Sequence, residues 1–203
     1  MDSAFLITAF VTLFVIIDPI GLAPLFVALT HGMDARTRRG IAIRACVIAA
    51  MLLVLFAALG EAVLGFVGIS MPAFRIAGGI LLFLTALDML FERRSKRRED
   101  QADERPDPSV FPLAIPLIAG PGAIASVILL TGEMGGLQGF ATTVLVMAAV
   151  LGIVFALFMV AGLLERALGR TGINVVTRLL GMLLAALAVQ FVLDGLRAFG
   201  LGG

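Results

Sequence analysis

Asp18-Pro19-Ile20-Gly21 puts a carboxylate and a proline inside an apolar run extending from Ala4 to Leu29. An ionisable group at that depth is costly in lipid and is a functional candidate by default. Pro19 cannot donate the helical hydrogen bond to the carbonyl of Val15, and its ring clashes with that turn. Aspartate is a good N-cap and proline suits the first helical position, so Asp18-Pro19 reads as the start of a half-helix running to about Thr30. The carboxylate has two compatible uses: capping the amides of Ile20 and Gly21, and holding a proton, a cation or a substrate ammonium. Gly120-Pro121-Gly122 repeats this grammar in the second half of the chain, with glycine as a weaker cap. There the amides near Gly122 and Ala123 are left for another acceptor. The partial positive charge of a half-helix N-terminus suits a substrate carboxylate. An acidic end facing an anion-seeking end would hold a zwitterion such as an amino acid. The candidate substrate-binding residues are Asp18, Pro19, Ile20, Gly21, Gly120, Pro121, Gly122, Ala123 and Ser126, and Asp18 is also the candidate for the coupling ion.

Other residues carry weaker signals. Pro24 and Pro116 free the carbonyls of Ile20 and Pro112, which can coordinate Na⁺ or be satisfied by Ser, Thr or water. Ser126 and Thr131 could line the second broken helix, although a single hydroxyl in a span is more often a packing group. Arg75 and Arg178 open spans three and six; snorkelling anchors are the simpler reading, and gate ion pairs with Glu61, Glu165 or another acid the other. Asp88 and Asp194 read as interfacial, and Gln190 as deep enough to hydrogen-bond between helices. With one histidine, His31, and one cysteine, Cys46, there is no HExxH and no zinc cluster. No metal, cofactor or catalytic residue is expected, and the protein does not read as an enzyme. Cys46 reads as a small packing residue.

The elements that must position these groups are membrane spans. Of 203 residues, 61% are hydrophobic and 14% charged, with a mean hydropathy of +1.11, outside the range of soluble domains. A net charge of +1 provides no electrostatic case for nucleic acid. Six apolar segments, at about 4–30, 41–65, 71–91, 111–131, 139–164 and 173–196, approach or exceed the ~20 residues that cross a bilayer. A helix break at membrane depth is tolerated where it faces protein or a watery cavity. No basic residue precedes Arg36, so the first segment lacks a signal-peptide n-region and reads as a retained span. Residues 92–109 form a charged linker whose basic cluster, 93–98, sets topology and could touch anionic headgroups. Arg36, Arg38 and Arg39, the 93–98 cluster, and Arg166 with Arg170 follow segments one, three and five. The positive-inside rule then puts these loops in the cytoplasm and both termini outside.

An internal repeat supports this layout. Glu61, Leu64, Gly65, Gly68, Ile69, Arg75 and Gly78 match Glu165, Leu168, Gly169, Gly172, Ile173, Arg178 and Gly181 with one single-residue gap. Pro121 follows Pro19 by 102 positions, and Arg178 follows Arg75 by 103. Each unit holds three spans, and an odd number inserts the second unit upside down, an architecture used for alternating access. The expected fold is an all-α membrane protein of six transmembrane helices in two inverted three-helix repeats, with helices 1 and 4 broken. The chain, 1–203, forms a single transmembrane domain, divided into repeat 1 (1–91), a cytoplasmic linker (92–109) and repeat 2 (110–203).

At these motifs the chain resembles the MarC family of bacterial inner-membrane proteins, also called the neutral amino acid transporter or SnatA-like family. The resemblance spans nearly the whole chain. It rests on Asp18-Pro19-Ile20-Gly21 with Pro24-Leu25-Phe26, and on Pro112-Leu113-Ala114-Ile115-Pro116-Leu117-Ile118-Ala119-Gly120-Pro121-Gly122-Ala123-Ile124. It implies a six-span protein of the bacterial plasma membrane and, for some members, transport of small neutral amino acids such as alanine, glycine or serine. Family members often carry Asn where this chain has Asp18, and an acid can titrate where an amide cannot. The expectation is a secondary transporter coupled to H⁺ or Na⁺, with a small neutral amino acid and the lipid bilayer as partners. A passive channel or facilitator and a non-transporting membrane scaffold are the alternatives. Small-residue faces such as Gly78-Gly79 and Ala185-Ala186 also permit a homo-oligomer.

Overall fold

The computed structural model describes residues 3–91 and 107–200, with no strand among them. Only Asp18 separates α1 (Ser3–Ile17) from α2 (Pro19–Leu29). They are followed by α3 (Ala35–Val67), α4 (Met71–Leu90), α5 (Ser109–Ile118), α6 (Pro121–Met134), α7 (Gly136–Met159) and α8 (Ala161–Ala198). Five helical stretches are long and apolar enough to cross a membrane, and a sixth is added if α5 and α6, bent by 54° between them, are one span. The basic cluster expected at 93–98 lies outside the described residues, as do the side chains of Glu165 and Arg170.

Local chemistry sets the helix ends. Asp34 caps α3 by accepting from the amides of Arg36 (3.1 Å) and Thr37 (3.4 Å), so the helix starts well before the expected apolar boundary and carries Arg36, Arg38 and Arg39 on its first turns. It stops at Gly68, whose φ of 80° suits glycine, with Ile69 N–H donating back to Leu64 O at 2.9 Å. Ser70 caps α4 by accepting from Ala73 N–H. The fifth segment ends at Met159, short of the expected 164, because the chain turns at Val160. α5 is irregular for a sequence reason: Phe111 and Ile115 both precede proline and are extended, as the clash with a following proline ring requires. In α8, Gly169 (φ 61°, ψ 173°) leaves the helical region.

One continuous apolar core runs through all eight helices, with Leu13, Ile17, Leu22, Phe26, Leu53, Leu82, Leu113, Leu129, Phe158 and Leu184 fully buried. Phe26 of α2 stacks on Phe158 of α7 with centroids 4.3 Å apart, and the Arg38 guanidinium lies 5.7 Å from the Phe26 centroid. Outward faces are equally apolar: Phe66 is 93% and Leu137 82% exposed. In water such faces would aggregate; in a bilayer they meet acyl chains.

The most extensive helix pairing is α4 against α8. It is an antiparallel seam of small residues, because any side chain would separate the backbones. A Cβ on Gly79 would sit 2.8 Å from Ala188 O, one on Gly181 3.3 Å from Ala86 O, and one on Gly195 3.0 Å from Pro72 O. Gly79→Val should therefore destabilise the protein by about 1–3 kcal/mol, seen as a lower melting temperature in detergent. Gly152→Ala, where a Cβ meets nothing within 4 Å, is the control expected to leave it unchanged.

Candidate functional site

Asp18 is fully buried and in the left-handed region, with φ 56° and ψ 63°. Aspartate and asparagine tolerate that conformation better than other residues with a side chain. Its Oδ1 accepts from Gly21 N–H at 3.0 Å. Of the two amides expected to be capped, Gly21 is the one bonded to the carboxylate, rather than Ile20. Glycine at 21 has a steric cause: a Cβ there would overlap the Asp18 carboxylate. Pro19 is buried, and Ile20 and Gly21 are half-buried.

At the second interruption Gly120 (φ −83°, ψ 170°) precedes α6 and offers no side-chain cap. A Cβ on Gly120 would lie 2.5 Å from the carbonyl oxygen of Pro116, so the approach of α5 to α6 requires glycine. Gly120 is half-buried, Pro121 exposed, and Gly122, Ala123 and Ser126 buried. The two interruptions meet through Gly122. A Cβ there would lie 2.7 Å from Ile16 Cδ1, two residues before Asp18, and 3.5 Å from Leu82 Cδ2 on α4. The last turn of α1 and the first turn of α6 thus pack against each other at Ile16 and Gly122.

The remaining polar candidates divide. Gln190 Nε2 donates to Asp194 Oδ1 at 2.9 Å within its own helix and is exposed, which corrects the expected interhelical bond; four residues of spacing put both on one helical face. Asp194 also lies 3.7 Å from Arg197. Arg75 is half-buried with Nε unpartnered, and Arg178 is exposed. Glu61 is exposed on α3, with Oε1 2.7 Å from where a Cβ on Gly132 would be. Cys46 is half-buried.

Two groups of residues escaped sequence reasoning. One is the polar clamp that starts α5. Arg44 Nη2 lies 3.1 Å from Asp107 Oδ2, Arg44 Nε donates to Ser109 Oγ at 3.4 Å, and Ser109 N–H donates to Asp107 Oδ1 at 3.0 Å. The Ser109 hydroxyl, its amide and the Arg44 guanidinium hold the Asp107 carboxyl below the usual range. A depressed carboxyl contributes stability above its ordinary pKa and loses it as pH falls through the folded value. Amide exchange over 109–113 should accelerate on acidification below about pH 4, and Asp107→Asn should remove that step. The half-exposed pair limits the effect to less than about 1 kcal/mol. The other group consists of Thr12 and Thr143, which are fully buried and have no hydrogen-bond partner, like Ser126. The available signal was a hydroxyl inside an otherwise apolar helix face.

Apolar helices long enough to span, lipid-compatible outer faces and a buried acid at a helix interruption together define a polytopic α-helical integral membrane protein. Residues 3–199 match the family described as MarC family integral membrane protein, and the chain belongs to that family. It is 40% identical to a UPF0056 membrane protein of Archaeoglobus fulgidus, over 95% of this chain and 92% of the relative. It is 35% identical to the UPF0056 membrane protein YvbG of Bacillus subtilis, over 97% and 96%. It is also 35% identical to the UPF0056 inner membrane protein YhgN of Escherichia coli, over 95% and 96%. No solved structure matches the chain.

Proposed function

We propose that this protein is a secondary transporter of small neutral amino acids of the alanine, glycine and serine class, working by alternating access with H⁺ or Na⁺ coupling. The substrate is held between the two helix interruptions. Its ammonium faces Asp18, and its carboxylate faces the α6 N-terminus at Gly122 and Ala123. The observation that supports this reading is that Ile16, two residues before the buried Asp18, packs against Gly122 in the first turn of α6, whose N-terminus has no side-chain cap.

The helix pairings support two inverted repeats, 1–91 and 110–203, joined by the 92–109 linker. If α1–α2, α3 and α4 correspond to α5–α6, α7 and α8, the packing pairs exchange. The α1–α2 contact with α7 mirrors that of α5–α6 with α3, and α4–α6 mirrors α8 with α1–α2. α3–α7 and α4–α8 map onto themselves. The chain neighbours α6–α7 and α7–α8 fall outside this scheme. Rocking of one repeat against the other would expose the midplane site to each side in turn. Both termini face outward in this reading, and the protein resides in a bacterial plasma membrane.

Substrate-dependent stabilisation tests the proposal. Alanine, glycine and serine should raise the melting temperature of the purified protein, and leucine and lysine should not. A membrane scaffold predicts no shift with any of them.

A further inference from the structure

We propose that Thr12, Ser126 and Thr143 form a binding site for a small monovalent cation, Na⁺, at one level of the α1–α6–α7 contact. Each hydroxyl is at 0% exposure without a hydrogen-bond partner. Helical hydroxyls elsewhere in this protein bond back to the preceding turn: Thr30 Oγ1 to Phe26 O at 2.6 Å, and Thr85 Oγ1 to Leu81 O at 2.9 Å. Unpartnered buried hydroxyls need a reason. Thr131 and Thr177 are also unpartnered, but Thr131 lies beyond this level of α6 and Thr177 is on α8.

The helix directions bring the three together. The α1–α2 span and α3 form a hairpin across the 30–34 connection, so they run in opposite directions. α3 and α6 run the same way, because Gly60 meets Ile128 and Glu61 meets Gly132. α1 and α6 are therefore antiparallel, with Ile16 opposite Gly122. One turn further, Thr12 follows on the Ile16 face and Ser126 on the Gly122 face. α7 returns antiparallel after the turn at Gly135, with Gly139 against Thr131 O. Thr143, one turn on, falls at the level of Val127, the neighbour of Ser126. α1, α6 and α7 pack on one another pairwise.

The charge environment selects the ligand. α1, α6 and α7 carry no Lys, Arg or His, so an anion finds no cationic side chain on them. Hydroxyl oxygens offer hard lone pairs, and the Asp18 carboxylate and the C-terminal end of α1 lie about a turn and a half away. A divalent ion would require carboxylates at the site itself. Neutral hydroxyl ligands with one carboxylate nearby match the single charge of a monovalent cation. The site would supply the coupling ion of the carrier proposed above and takes its role, though not its binding, from that reading.

The test is equilibrium binding of labelled Na⁺ to purified protein in nanodiscs, with choline as the replacement ion and no amino acid present. Saturable binding is expected, and Thr12→Val, Ser126→Ala and Thr143→Val should each weaken it roughly tenfold to hundredfold. These changes remove unsatisfied hydroxyls with little change of shape, so melting temperatures in choline should not fall. Absence of saturable binding, or undiminished affinity in the triple variant, would overturn the site. Alanine counterflow with Na⁺ present on both sides of the membrane separates the two proposals: counterflow without saturable Na⁺ binding removes the site alone, and Na⁺ binding without counterflow removes the transport reading alone.

Discussion

Asp18→Asn should give a folded protein that equilibrates its substrate but no longer accumulates it against a gradient. Asparagine keeps the oxygen that accepts from Gly21 N–H and tolerates the left-handed conformation at position 18. Stability should change by no more than about 1 kcal/mol. The lost feature is the charge. A fully buried carboxylate can exchange a proton or balance a cation, and an amide can do neither. Uphill uptake driven by an imposed pH or Na⁺ gradient should vanish in this variant, while exchange without a gradient persists at a lower affinity, because the amide still accepts a hydrogen bond from the substrate ammonium but no longer balances its charge. Asp18→Leu is the contrasting change. It removes the cap at a cost of about 1 kcal/mol and forces a branched side chain into left-handed backbone for about 1–2 kcal/mol more. Loss of folding is its expected outcome. Uphill uptake surviving in Asp18→Asn would remove this residue from coupling.

Gly122→Leu should abolish function. Even the Cβ of an alanine would sit 2.7 Å from Ile16 Cδ1, so the Ile16 side chain must give way, and the far larger leucine side chain pushes α6 from α1. Overpacking of this kind costs about 1–3 kcal/mol, and a shift of about 1 Å at a binding centre can lower turnover about 100-fold. The cause can be checked by making room. Ile16→Ala removes both Ile16 atoms that a Cβ at 122 would strike, so it should restore much of the stability lost in Gly122→Ala. Additive losses in the double variant would place the role of Gly122 elsewhere.

Much of this organisation is written in local sequence. Hydropathy located the spans, and Asp18-Pro19 marked the start of α2 because cap and proline chemistry act within one turn. Other features depend on contacts that no local pattern encodes. Thr12 and Thr143 look like ordinary hydroxyls until the packing of α1 and α7 buries each without a hydrogen-bond partner. Arg44 and Asp107 are 63 positions apart, and their pairing depends on α5 packing along α3. Gly122 was visible as a break, but its contact with Ile16 is tertiary. The extended residues of α5 were in principle readable from their following prolines, whereas the 54° bend into α6 was not.

Counterflow of labelled alanine into proteoliposomes preloaded with unlabelled alanine tests the central claim most directly. A carrier with one site exposed alternately to each face produces a transient overshoot, blocked by glycine and serine but not by leucine or lysine. Flux without overshoot would identify a passive channel. No flux, in vesicles shown to contain folded protein, would contradict the transport reading and leave a membrane scaffold with the same fold.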